Sequence, residues 1–268
     1  MNAERVLTVV ALAAVAVFAR APLPDRTQPP VQTLDIQAGD FFYRTADTIA
    51  AGPVRIRLSN VGREFHHAQL VRFDSSHTLE DVMRAMERPQ MDLPWITFVG
   101  GPNVPPPGGV SEVETTLSPG RYAWLCFVRS PEDKKRHVMK GMIRQLIVLG
   151  PAPSTRPHRR EANTITLRDH TFQLSEPLRA GRQRILVENA GSQPHEAGLW
   201  MLNPGVTEAA ARAWLQHPSG PPPATPVGGV VDLSPGERSV LSIDLRPGVA
   251  ILLCYSPDPK TGRSHVTM

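Results

Sequence analysis

Each of the two cysteines in this 268-residue chain is followed by a histidine after a gap of ten residues. The first set runs His66, Cys126, His137 and, after four more residues, Met142. The second runs His195, Cys254, His265 and then Met268, three residues beyond His265. A thiolate, two imidazoles and a thioether suit copper passing between Cu(I) and Cu(II), with the methionine as a weak axial ligand. Other assignments compete at single positions. His67 adjoins His66 and points to the opposite face of an extended strand, but the match of His66 to His195 favours His66. Met139 competes with Met142, which the spacing prefers. Cys126, inside Trp124-Leu125-Cys126-Phe127, has a competing reading as a buried core thiol, which ranks below the ligand reading. A Cys126–Cys254 disulfide is open to an exported protein, although equivalent buried positions in two units rarely approach within about 7 Å. His77, His158, His170 and His217 have no partner at ligand spacing and are read as solvent-facing.

Side chains so far apart in sequence meet only if a fold gathers them, and the landmarks repeat. Asn60-Val61-Gly62-Arg63-Glu64-Phe65-His66 is matched 129 residues later by Asn189-Ala190-Gly191-Ser192-Gln193-Pro194-His195, the same N-x-G-x-x-x-H spacing. Pro119-Gly120, Cys126 and His137 are matched 128 residues later by Pro247-Gly248, Cys254 and His265. A constant offset marks an internal repeat. It gives units at 33–149 and 164–268, joined by linkers at 22–32 and 150–163. Apolar residues alternate in Val54–Leu58 and Arg184–Val187, and Tyr122–Val128 and Val249–Tyr255 are longer apolar runs, all read as strands. Thr78 caps a helix over Leu79–Glu87 with Asp81 at the third helical position, and Val206–Gln216 is its counterpart. The expected fold is all-β. It comprises two tandem Greek-key β-sandwiches of one topology, unmerged, each with one helical insertion between its His strand and its Cys strand.

Residues 1–21 read as a signal peptide: one Arg in the first five residues, an apolar run of 14 over Val6–Ala19, and Ala19-Arg20-Ala21 as an A-x-A cleavage site. That run is short of the about 20 residues a spanning helix needs. Export to the periplasm or the extracellular space is expected, with a membrane tie only if the segment stays uncleaved. Hydrophobic residues make up 41% against 20% charged, which excludes a disordered chain. The net charge is +4, but the basic residues are scattered among 25 carboxylates and form no stripe for nucleic acid. Without a C-x-x-C pair, a structural zinc site or a dithiol redox motif is also excluded.

The stretches Asn60–His66, Gly120–Cys126, and His137 through Gly141-Met142 into Ile143–Val148 resemble those of the cupredoxins, the blue-copper family. His-x4-Met is a ligand spacing of that family, while the ten-residue gap from Cys to His is longer than its usual one. The resemblance implies a mononuclear copper site at His66, Cys126, His137 and Met142. It further implies electron transfer or copper carriage, with a redox partner protein. Such a site has no open position for substrate, so no enzyme is expected. A multicopper oxidase would need paired His-x-His motifs and commonly His-Cys-His, which this sequence lacks, and a copper nitrite reductase would need a further three-histidine copper site. The second set, His195, Cys254, His265 and Met268, is the weaker candidate, because Met268 aligns with Lys140 and no final strand follows. The alternative is a metal-free cupredoxin-like module used for binding or structure in the cell envelope.

Overall fold

Alternation of buried and exposed positions builds the first repeat, as in Gly52–Asn60, where Val54, Ile56 and Leu58 point inward and Arg55 and Arg57 outward. The computed structural model describes residues 31–87, 93–152, 161 and 163–267. The expected signal peptide and most of both linkers lie outside these residues. In chain order the first repeat comprises β1 (Gln32–Gly39), β2 (Phe42–Arg44), β3 (Thr48–Ala50), β4 (Gly52–Asn60), β5 (Gln69–Phe73), α1 (Leu79–Met86), β6 (Ile96–Gly100), β7 (Val110–Leu117), β8 (Gly120–Leu125) and β9 (Ile143–Leu149). The second comprises β10 (Asn163–Arg168), β11 (Thr171–Leu174), β12 (Gly181–Asn189), β13 (His195–Leu202), α2 (Glu208–Gln216), β14 (Ala224–Leu233), β15 (Arg238–Leu245) and β16 (Ala250–Leu253).

The expected helices are present between the His and Cys segments. Thr78 accepts from the Asp81 N–H while the Asp81 side chain accepts from the Thr78 N–H, a complete capping box. α2 begins later than its apolar pattern suggests, because Thr207 is its cap and leaves Val206 outside. The Cys strands are also shorter than the apolar runs: β8 ends at Leu125, and the chain turns away at Cys126 to form the site.

The two repeats are tandem sandwiches of one strand order, as expected, but their sheets are joined and not unmerged. One sheet runs β11-β10-β12-β15-β7-β4-β1-β2 and the other β16-β13-β14-β6-β5-β8-β9-β3, so both layers pass through both repeats. The junctions are antiparallel: β15 on β7 through Val240↔Glu114, Leu241↔Val113 and Ser242↔Glu112, and β14 on β6 through Leu233↔Val99. The physical reason is the open edge. β7 and β15 each carry a free row of backbone donors and acceptors, and pairing the two copies satisfies both rows. One buried cluster follows the junction across the repeats, from Ile36, Ile56 and Trp124 to Ile185, Leu199 and Leu233. β3 and β9 have no counterpart in the second repeat among the described residues.

Candidate metal centres

β5 pairs with β8 through Gln69↔Leu125, and β8 with β9 through Leu125↔Ile143. The loop before β5 carries His66, the residue after β8 is Cys126, and the residue before β9 is Met142, so neighbouring strands deliver three of the four expected residues to one pole. The ten residues between Cys126 and His137 fold back on themselves. Arg129 bridges to Arg136, the Ser130 N–H donates to the Lys135 carbonyl at 3.0 Å, and Lys134 takes the left-handed turn position at φ 60°. The His137 N–H then donates to the Val128 carbonyl, and the Val138 N–H to that of Cys126, both at 2.8 Å. The longer loop is therefore a side hairpin, and His137 returns beside Cys126.

His66, Cys126 and His137 are fully buried, and their ligand atoms lie within 4.8 Å of one another. The two Nδ1 atoms are 3.1 Å apart, and Cys126 Sγ is 3.5 Å from His137 Nδ1. Each ring is held from behind: His66 Nε2 donates to Asp40 Oδ1 at 3.1 Å, and His137 Nε2 to Glu64 Oε2 at 2.9 Å. With Nε2 as the donor, each Nδ1 presents a lone pair. Two lone pairs facing each other out of reach of water repel, and a bound cation removes the repulsion. The donor set therefore fits a metal ion on its own geometry, with carboxylates orienting both imidazoles. Burial lowers the pKa of both histidines against the opposite pull of Asp40 on His66 and of Glu64 on His137. Burial pushes the Cys126 thiol up to about 12, although the N–H groups of His67 and Val128 and the Tyr43 hydroxyl pull the other way. Burial would raise the Asp40 carboxyl too, but hydrogen bonds from the Glu64 N–H, His66 and Arg63 hold it at about 2.

Met142 is fully buried in the same core cluster as Cys126. Its N–H donates to the His137 carbonyl at 3.0 Å and its carbonyl accepts from the Cys126 N–H at 3.3 Å. His67 is turned away from the group, and its Nε2 accepts from the Phe127 N–H at 3.1 Å. Met139 is exposed. Both cysteines are free, so the alternative disulfide is not formed.

The second set also assembles. His195, Cys254 and His265 are buried with their ligand atoms within 4.8 Å of one another, and Cys254 Sγ is 3.3 Å from His265 Nδ1 and 3.9 Å from His195 Nδ1. His195 Nε2 donates to Asp169 Oδ1 at 2.9 Å, the counterpart of the Asp40 contact. His265 Nε2 has no partner among the described residues, because Gln193 stands where the first repeat has Glu64. Met268 lies outside the described residues. Of the histidines expected at the surface, His170 and His217 are exposed, His158 lies outside the described residues, and His77 is half-buried because its ring stacks on Trp95 at 4.0 Å.

The repeated N-x-G-x-x-x-H phrase acquires a reason here. Asn60 Oδ1 accepts from the Gly62 N–H at 3.0 Å and its Nδ2 donates to the Glu64 carbonyl at 2.9 Å, clamping the loop, and Asn189 does the same with Gly191 and Gln193 at 2.8 Å each. A Cβ on Gly62 would stand 2.4 Å from Asp40 Oδ1 and 2.7 Å from His66 Nε2, so the glycine makes room for the carboxylate–imidazole contact. Sequence reasoning missed Asp40, Glu64 and Asp169. The pair Asp40 and Asp169 carries the same offset of 129 and was open to discovery.

No protein-family model and no curated protein sequence matches the chain. Among solved structures it is similar to a dithionite-reduced auracyanin from the photosynthetic bacterium Roseiflexus castenholzii, at 21% identity and a TM-score of 0.33, over 46% of this chain and 100% of that one. It is also similar to a multicopper oxidase, at 14% identity and a TM-score of 0.26, over 90% of this chain and 89% of that one. A third likeness, to a copper-containing nitrite reductase from Thermus scotoductus, has 15% identity and a TM-score of 0.24, over 83% of this chain and 57% of that one. These are likenesses to proteins of cupredoxin fold.

Proposed function

We propose that the first repeat would hold a copper ion through His66, Cys126 and His137, with Met142 completing the set, and that the chain serves electron transfer or copper carriage outside the cytoplasm. The reading rests above all on the two Nδ1 lone pairs 3.1 Å apart beside a buried thiol, each imagined site for a proton already displaced to Nε2 by a carboxylate. Copper bound there would supply one-electron exchange. The protein's part is to hold the imidazoles rigid through Asp40 and Glu64, to keep water out, and to favour the thiolate with the N–H groups of His67 and Val128. A site filled by four side chains leaves no position for substrate, so the role we propose is not catalytic, and its partner is a redox protein. The signal-like segment 1–21 supports a periplasmic or extracellular location.

The test is a titration of the purified chain with Cu(II), followed by visible absorption and electron paramagnetic resonance. An intense thiolate-to-copper band, lost on Cys126→Ser, is the expected result. Absence of any such band at stoichiometric copper would overturn the reading and leave the metal-free module of the cell envelope.

A further inference from the structure

In the sheet that carries both Cys strands, β8 has β9 and β3 outside it, whereas its counterpart β16 is the last strand among the described residues. The Val249 carbonyl accepts from the Leu202 N–H at 2.9 Å, on the side where β16 pairs with β13. By alternation, the N–H and C=O groups of Ala250 and Leu252 point the other way, to the open side. Such an edge is a template for one more strand.

The core beneath this edge is open at the same place. In the first repeat β9 pairs with β8 and adds Leu146 and Val148 to the cluster that holds Tyr43, Tyr122 and Trp124, all of them buried. Their counterparts at the repeat offset, Phe172, Ala250 and Leu252, are only half-buried. Cavities of about 410 and 460 Å³ lie along β16, and Ala250 and Leu252 line both. The first also reaches His195, Cys254 and His265. The rim is basic. Arg168 lines the first cavity and Arg179 and Arg246 the second, all three exposed and none paired with a carboxylate among the described residues, while Arg212 is already held by Glu208 at 3.1 Å.

We propose that this groove takes an extended segment of another polypeptide as an added strand, antiparallel to β16, with aliphatic side chains at alternate positions turned to the core and carboxylates at its ends. β9 sets the direction and the pattern, since it fills the equivalent place on β8. The arginines set the charge. A second copy of β16 answers them poorly, because residues 246–255 bring a further arginine and no carboxylate. The probe is a labelled peptide of the β9 sequence, Ile143–Leu149, flanked by two aspartates at each end. Fluorescence anisotropy with the full, metal-free chain should show one site, at least tenfold tighter than for the same peptide flanked by lysines. Amide hydrogen exchange should slow at Ala250 and Leu252 and stay unchanged in β8, where the peptide would act only by displacing β9. Ala250→Pro removes an outward N–H with little change in packing, and should cost at least tenfold in affinity with an unchanged circular dichroism spectrum. If that variant does not fold, the exchange pattern on the unaltered chain decides alone. No binding at millimolar peptide, equal binding of the lysine-flanked peptide, or slowing in β8 instead of β16 would overturn the proposal. So would a dimer of the chain alone, seen in sedimentation, with exchange slowed at Ala250 and Leu252, which would give the edge to a second copy.

Discussion

Glu64 serves the first metal centre twice, since Oε2 accepts from His137 Nε2 and Oε1 from the Ser130 hydroxyl at 3.0 Å, tying the ligand to the side hairpin. Removing its charge while keeping its shape should weaken the hold on His137. Glu64→Gln is expected to lower copper affinity by about 10 to 100-fold in competition titrations. The second repeat already carries that change at Gln193, so Gln193→Glu should strengthen its group by a similar factor. Cys126→Ser should abolish most copper binding, and Cys254→Ser should change it little; loss of copper from the Cys254 variant alone would place the functional centre in the other repeat. Proton exchange gives a third outcome. Burial holds the Cys126 thiol at about 12, and the histidines are pushed below their usual value, so at neutral pH the metal-free group carries the thiol proton and neutral imidazoles. Metal binding must expel that one proton, and apparent affinity should rise by about tenfold per pH unit between pH 7 and 9. Indicator-monitored titration in weak buffer checks it, and no proton release would show that the thiolate is not a ligand.

At the scale of elements, the strands and the two loops that carry the ligands differ in how much sequence reveals. Val54, Ile56 and Leu58 alternate with arginines, and Thr78 with Asp81 reads directly as a helix start, because strand facing and helix capping are set within a few residues. The ligand types and the N-x-G-x-x-x-H phrase were legible through the repeat, whereas Asp40 and Glu64 were not singled out, since carboxylates on a surface loop look alike until the fold turns them toward an imidazole. The end of β8 at Leu125 was hidden for a related reason: Cys126 and Phe127 are as apolar as a strand continuation, and only the return of the hairpin through the Val128 and Cys126 carbonyls ends the strand. The Asn60 loop gives a prediction at this scale. In Gly62→Ala the new methyl group meets Asp40 Oδ1 and His66 Nε2, so either the loop clamp or the His66 anchor must yield. A loss of roughly 1–3 kcal/mol in denaturant unfolding is expected, with weaker copper binding.

For the whole molecule, the merging of the sheets was not legible, because edge pairing depends on two rows of backbone groups whose side-chain pattern is the same whether or not a neighbour is present. Its consequences are energetic. Arg184 of β12 reaches across the junction to Glu114 of β7 with two bonds of 2.9 and 2.8 Å, and the Arg184 hydrogen bond, aided by Arg55, holds the Glu114 carboxyl below its usual range despite burial. A lowered carboxyl contributes stability that is present above its unfolded value and lost as the pH falls through the folded one. Glu114→Gln should therefore lower the melting temperature at neutral pH and lose its difference from the unaltered chain in acid.

The core makes a stronger demand than the surface pair. Leu233 is fully buried, pairs with Val99 of the other repeat, and sits in the cluster that spans both. Truncating it leaves a cavity against both halves at once, at a cost of about 2–5 kcal/mol. Because the two layers and the cluster are continuous, that cost cannot be confined to the second repeat: a partly unfolded chain would expose the β7 and β6 edges and half of the shared core. Leu233→Ala should accordingly lower the melting temperature of both repeats together, seen as one calorimetric transition whose van't Hoff and calorimetric enthalpies agree. Two transitions, with only the lower one displaced by the substitution, would mean that the repeats fold independently and that the shared sheets contribute little to holding them together.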